Sequence, residues 1–82
     1  MDGLEYYFGV RPLSNEYYVC TIANPTGEHE IHKGNCNWLP ERKHREYLGK
    51  DMGFQTAKAL AHYKGYKYVD GCYHCCKENH II

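Results

Sequence analysis

A chain of 82 residues is expected to hold one small domain, because two hydrophobic cores would each fall below the size at which chains fold unaided. Ten Lys and Arg balance ten Asp and Glu, which excludes both the strong basic field of an electrostatically driven nucleic-acid binder and an acidic one. Nine tyrosines and 43% hydrophobic residues exclude a disordered chain, and since a domain of this size buries only about 60% of its unfolded surface, some staple beyond the core is expected, for which the five cysteines are candidates.

Residues 4–10 alternate Leu4, Tyr6, Phe8 and Val10 with Glu5, Tyr7 and Gly9, the period of a half-buried strand. Pro12-Leu13-Ser14-Asn15 breaks the pattern, and residues 16–22 resume it with aromatic and β-branched side chains, which predicts a hairpin. Asn24-Pro25-Thr26-Gly27 is a turn cluster. A third strand over residues 28–32 would place His29 and Ile31 on one face and Glu28, Glu30 and His32 on the other. Residues 33–37 read as a loop, Trp38-Leu39-Pro40 as an apolar anchor, and residues 41–46 as a solvated loop or short helical turn.

From Phe54, the residues Ala57, Leu60, Ala61 and Lys64 recur at helical spacing, with Asp51 or Gly53 to cap the start and Gly65 to end the helix. Residues 66–69 predict a last strand, and Asp70-Gly71 a turn into a Cys/His-rich tail. The expected fold class is α+β: one domain over residues 1–82, with a small antiparallel sheet of three to four strands and one amphipathic helix on one face. Phe8, Val10, Val19 and Ile22 are the expected partners of the helix stripe, buried at roughly 25 cal/mol per Å².

The chemistry concentrates in cysteine and histidine. His32 and Cys36 form a His-x3-Cys pair at a strand end, and Cys72-Tyr73-His74-Cys75-Cys76 with His80 comes after a long intervening segment. Two close-spaced pairs set far apart are the layout of a structural zinc site, because each short spacing lets one turn present two ligands to one ion. Zinc takes thiolate and imidazole together, whereas calcium or magnesium needs an oxygen cage. The expected ligands are His32, Cys36, Cys72 and Cys75, with Cys76 and His80 as alternates, since Cys72, Cys76 and His80 would share one face of a helical tail. Set against this are free thiols and packed cysteines: Cys20 reads as a small core residue, and His29, His44 and His62 as surface or boundary residues. A zinc affinity of roughly 10–16 kcal/mol exceeds what so small a core supplies and favours the metal.

The residues Glu30-Ile31-His32, Cys36, Trp38-Leu39-Pro40, Tyr47-Leu48-Gly49, Phe54, Ala57 and Ala61, with Asp70-Gly71-Cys72-Tyr73-His74-Cys75-Cys76 and His80, resemble small bacterial domains of unassigned role over roughly residues 28–80. More distantly, His-x3-Cys, the helix Phe and Ala, Gly65-Tyr66 and Cys-x2-Cys are similar to the zinc-binding module of Ada-type DNA phosphotriester repair proteins and to the tail of some secreted nucleases. That resemblance implies a zinc-held module. Ada modules use four cysteines, one of them a methyl acceptor, and His32 stands here where a cysteine would be. Residues 67–71 are an insertion relative to the Gly-Tyr-x-Pro-Cys order, and Asn79 stands where a further cysteine is expected before the final His. Methyl transfer is not carried over.

The expected function is a zinc-stabilised binding module for nucleic acid or protein, without catalysis. Arg42, Lys43, His44 and Arg45 form the one basic cluster, flanked by Glu41 and Glu46, with Trp38 and Tyr47 nearby to stack on bases. One alternative is thiol chemistry, redox or alkyl acceptance, centred on the vicinal Cys75-Cys76 pair. Another is a metal-free structural or interaction protein that associates through its tyrosines as a monomer or weak homodimer. No apolar stretch approaches the roughly 20 residues needed to cross a bilayer, and no export signal is visible, so no membrane partner and a cytoplasmic location are expected.

Overall fold

A computed structural model describes residues 15–81; the strand expected over residues 4–10, with Phe8 and Val10, lies outside them. The architecture is α+β. Strands β1 (Glu16–Cys20), β2 (His29–Lys33), β3 (Arg45–Lys50) and β4 (Val69–Gly71) form one sheet in the order β3-β1-β2-β4, and helix α1 (Phe54–Tyr63) packs on it. Alternation in β1 sends Tyr17 and Val19 inward and leaves Glu16, Tyr18 and Cys20 on the outer face. With them, Ile31, Leu48, Phe54, Ala57, Ala61 and Cys76 make the core. Phe54 meets Tyr17 edge to face, with ring centroids 6.4 Å apart.

The turn between β1 and β2 is built by Asn24. Its Oδ1 accepts from the backbone N–H of Thr26 at 3.1 Å and of Glu28 at 2.9 Å, and Gly27 supplies the positive φ of 93° that closes it. At the far end of the helix, Gly65 at φ 106° lets the Tyr66 N–H reach the Ala61 carbonyl and the Gly65 N–H reach that of His62, both at 3.0 Å. This Schellman pairing satisfies carbonyls the helix leaves open. Gly53 is the N-cap and makes no side-chain cap bond.

Several expectations are corrected. Of the stretch read as a solvated loop or short helical turn, Arg42–His44 forms a 3-10 turn as the second reading has it, but Arg45 and Glu46 open β3, an edge strand. Its register shifts opposite Tyr17 and Tyr18, and Leu48 is its one buried side chain, so β3 lacks the alternation that would reveal it. Ile22 is 55% exposed and Trp38 56% exposed, so neither packs into the core. Cys20 lies half-buried on the outer face. The last strand begins at Val69 and includes Asp70 and Gly71, where a turn is expected from sequence.

The correction with most consequence concerns direction. β1 pairs antiparallel with β2 and β3, but β4 runs parallel to β2, with His29 opposite Val69, Glu30 opposite Asp70 and Ile31 opposite Gly71. The long connection through β3 and α1 supplies the crossover that a parallel pair requires. Parallel pairing puts the C-terminal ends of β2 and β4 at the same end of the sheet. An antiparallel β4 would have sent the residues after Gly71 to the opposite end.

Candidate metal centre

Because β2 and β4 end together, the segments that leave them come into contact. β2 runs on through His32 and Lys33 into the turn that carries Cys36, whose N–H donates to the Lys33 carbonyl at 3.1 Å. β4 ends at Gly71, and the N–H of Cys72 donates to the Ile31 carbonyl at 3.0 Å, which docks the second Cys segment beside the first. The Cys76 N–H closes back on the Cys72 carbonyl at 2.8 Å, which curls residues 72–76 into a knuckle. Gly71 permits this close approach: a Cβ there would meet the Cys76 carbonyl oxygen at 2.9 Å and that of Asn79 at 3.0 Å.

One ring nitrogen of His32 and the Sγ atoms of Cys36, Cys72 and Cys75 all lie within 4.8 Å of one another, a group of donors that can hold one metal ion. The Cys36 and Cys72 sulfurs are 3.9 Å apart, close to the roughly 3.8 Å edge of a tetrahedron with Zn–S bonds of about 2.3 Å. His32 is 3% exposed. Its Nε2 faces Glu30 Oε1 at 3.7 Å, and its Nδ1 is buried with no hydrogen-bond partner. A buried polar nitrogen without a partner is costly unless something outside the protein's own donors satisfies it.

Each sulfur of the group receives a backbone N–H. Trp38 donates to Cys36 at 3.3 Å, His74 to Cys72 at 3.4 Å and Lys33 to Cys75 at 3.2 Å. Donors aimed at sulfur favour the thiolate over the thiol. Burial opposes them: it pushes the Cys72 thiol up to about 12 and raises that of Cys36. The neighbouring Cys76 thiol, and then burial, raise Cys75 as well. Burial, followed by the nearby His74, lowers His32 to about 4, so its imidazole is neutral and free to coordinate at ordinary pH. Three raised thiols beside a neutral imidazole suit a site that a divalent cation completes by displacing protons.

The alternates sit apart. Cys76 Sγ is 3.7 Å from that of Cys75, but its side chain is buried in the core with Tyr17 and Val19, outside the four-residue group. His80 turns its Nδ1 to the Gly71 carbonyl at 2.9 Å and to the buried Asp70 carboxylate at 3.1 Å. The basic cluster is not one free face: Arg45 donates to the Pro40 carbonyl at 3.1 Å and its guanidinium lies over the Tyr18 ring.

Spacing does not single out His74, whose imidazole stacks on the Trp38 indole with centroids 3.6 Å apart and planes 6° apart. Beside this stack lies an open cavity of about 350 Å³ that Cys36 and Cys75 help to line. Comparisons with models of known families, with curated proteins and with solved structures return no match.

Proposed function

We propose that this chain is a zinc-stabilised binding module in which His32, Cys36, Cys72 and Cys75 hold one structural zinc ion. The observation that carries it is the buried imidazole of His32, whose Nδ1 has no hydrogen-bond partner, in a group with three sulfurs that each accept a backbone N–H. Zinc fits this donor set because it takes thiolate and imidazole together in a tetrahedron. Glu30 beside His32 Nε2 is the outer carboxylate that commonly orients a ligating imidazole. Four protein donors complete the coordination and leave no open position for substrate, which supports a structural ion and a binding role over catalysis. The likeness to Ada-type modules belongs to this reading at the level of metal holding alone.

The thiol-reactive alternative centres on Cys75 and Cys76, and against it the Cys76 thiol and burial raise Cys75, while Cys76, which its bond to Cys75 lowers, is 5% exposed in the core and out of reach of a substrate. With Cys36, Cys72 and Cys75 given to the ion and no cysteine paired in a disulfide, a reducing compartment such as the cytoplasm belongs to this reading. The test is the metal content of protein purified without added zinc or chelator, read with cysteine Cβ chemical shifts. One zinc per chain is expected, with metal-type shifts at Cys36, Cys72 and Cys75 and thiol-type shifts at Cys20 and Cys76. Folded, metal-free protein with five thiol-type shifts overturns the proposal.

A further inference from the structure

Resting on that reading, we infer that the face beside the metal centre, built on Trp38, His74 and Tyr73, binds an unpaired stretch of single-stranded nucleic acid. Trp38 is 56% exposed although it is the largest apolar side chain of the domain, and one face of its ring is already covered by His74. At that exposure more than half of the residue stays open to solvent despite the stack. An indole clamped flat from behind forms a stacking surface whose orientation is set before any ligand arrives. The aromatic row continues: His74 meets the ring of Tyr73 at 5.5 Å, and Tyr73 is itself 52% exposed, which offers a second stacking position.

The groups around the indole suit a nucleotide. Asn35 and Asn37 are exposed and line the same cavity as Trp38, and each amide carries a donor and an acceptor in one plane, the pairing that base edges present. Lys33 lines the cavity too, and the Lys77 ammonium lies 5.6 Å from the Tyr73 ring centroid, so a cation stands beside each aromatic position. A protein partner would call for a desolvated apolar pocket at this point; here the cavity is open, and beside the Trp38 and His74 rings its lining is amide, lysine and thiol. Duplex recognition would need an element to enter a groove, and this face is made of turns. The balanced total charge limits the contact to the one or two nucleotides that the aromatic row can stack.

Trp38 is the one tryptophan of the chain, so its fluorescence reports the contact directly. Zinc-loaded protein is titrated with eight-nucleotide oligouridine, oligoadenosine and oligodeoxythymidine and with a DNA duplex. The single strands are expected to quench the indole and the duplex to leave it unchanged; comparison of the ribo- and deoxyribo- arms shows whether the 2′-hydroxyl contributes. Anisotropy of a labelled oligonucleotide then reads the variants. Trp38→Ala is expected to weaken binding by about 5- to 150-fold, with Trp38→Phe recovering most of it. The slope of log K against log salt is expected near −1.4, from about two phosphate contacts.

The bond that residue 38 gives Cys36 comes from its backbone N–H, which Trp38→Ala retains, so that variant is expected to keep one zinc per chain, and its lost affinity then belongs to the indole. Zinc-loaded protein that no single strand quenches, or Trp38→Ala that binds as tightly as the natural sequence, overturns this inference, leaves the metal reading standing and turns the face over to a protein partner. Quenching by single strands in a protein that carries no zinc supports the surface and refutes the metal.

Discussion

Stripping the metal is expected to lower the melting temperature by tens of degrees. The described core has few large side chains: Val19 and Ile31 are fully buried, with Leu48, Phe54, Tyr17 and two alanines around them. β4 contributes three residues, and the segment beyond it is tied to the rest through Cys72 and the knuckle. With free zinc 1,000-fold above its dissociation constant, binding to the folded state alone stabilises by about 4 kcal/mol. One kcal/mol moves the midpoint of a 60–100-residue domain by about 4–8 °C, so saturating chelation should lower it by about 15–30 °C. The assay is thermal unfolding monitored by circular dichroism in zinc-buffered and chelated solution. Amide exchange adds the location: the N–H groups of Lys33, Trp38 and His74, which point at sulfur, should lose protection before those of α1. A midpoint that chelation shifts by only a few degrees, with those amides still protected, would mean that no ion holds the two segments together.

The same geometry makes further predictions. Binding zinc between pH 6.5 and 7.5 should release close to three protons, one from each of Cys36, Cys72 and Cys75 and none from His32, which is already neutral there because its pKa is lowered to about 4. Apparent affinity therefore rises with pH by about three decades per unit, and calorimetry in buffers of different ionisation enthalpy checks it; release of one proton or fewer contradicts it. Gly71→Ala should cost about 1–3 kcal/mol, because its methyl meets backbone oxygens of Cys76 and Asn79 that cannot swing aside, and denaturant unfolding measures the loss. Cys76→Ser and His80→Ala should each keep one zinc per chain, while Cys72→Ser should not; metal analysis of the three variants checks this, and loss of zinc from Cys76→Ser would move the site to the alternate set.

The parts legible in sequence are those written in local periodicity and spacing. Tyr17 and Val19 alternate, Phe54, Ala57 and Ala61 recur on one helical face, and Gly65 ends the helix through a conformation that glycine adopts freely. His32, Cys36, Cys72 and Cys75 stand out because short spacings present ligands in pairs, and the fold brings these four together. The direction of β4 is not legible, since the pairing of a three-residue strand depends on a crossover of more than thirty residues. β3 is hidden by its charged opening and by the shifted register that breaks its alternation. Trp38 reads as an anchor because a large indole is usually buried, whereas here it stacks on an imidazole brought from the far segment, a contact that only the assembled fold creates.

The central claim meets its most direct test in zinc K-edge X-ray absorption on protein loaded with one equivalent of the metal. The account predicts a first shell of three sulfurs at about 2.3 Å and one nitrogen at about 2.0 Å, with the nitrogen lost on His32→Ala. A shell dominated by oxygen, or one that His32→Ala leaves unchanged, would contradict it.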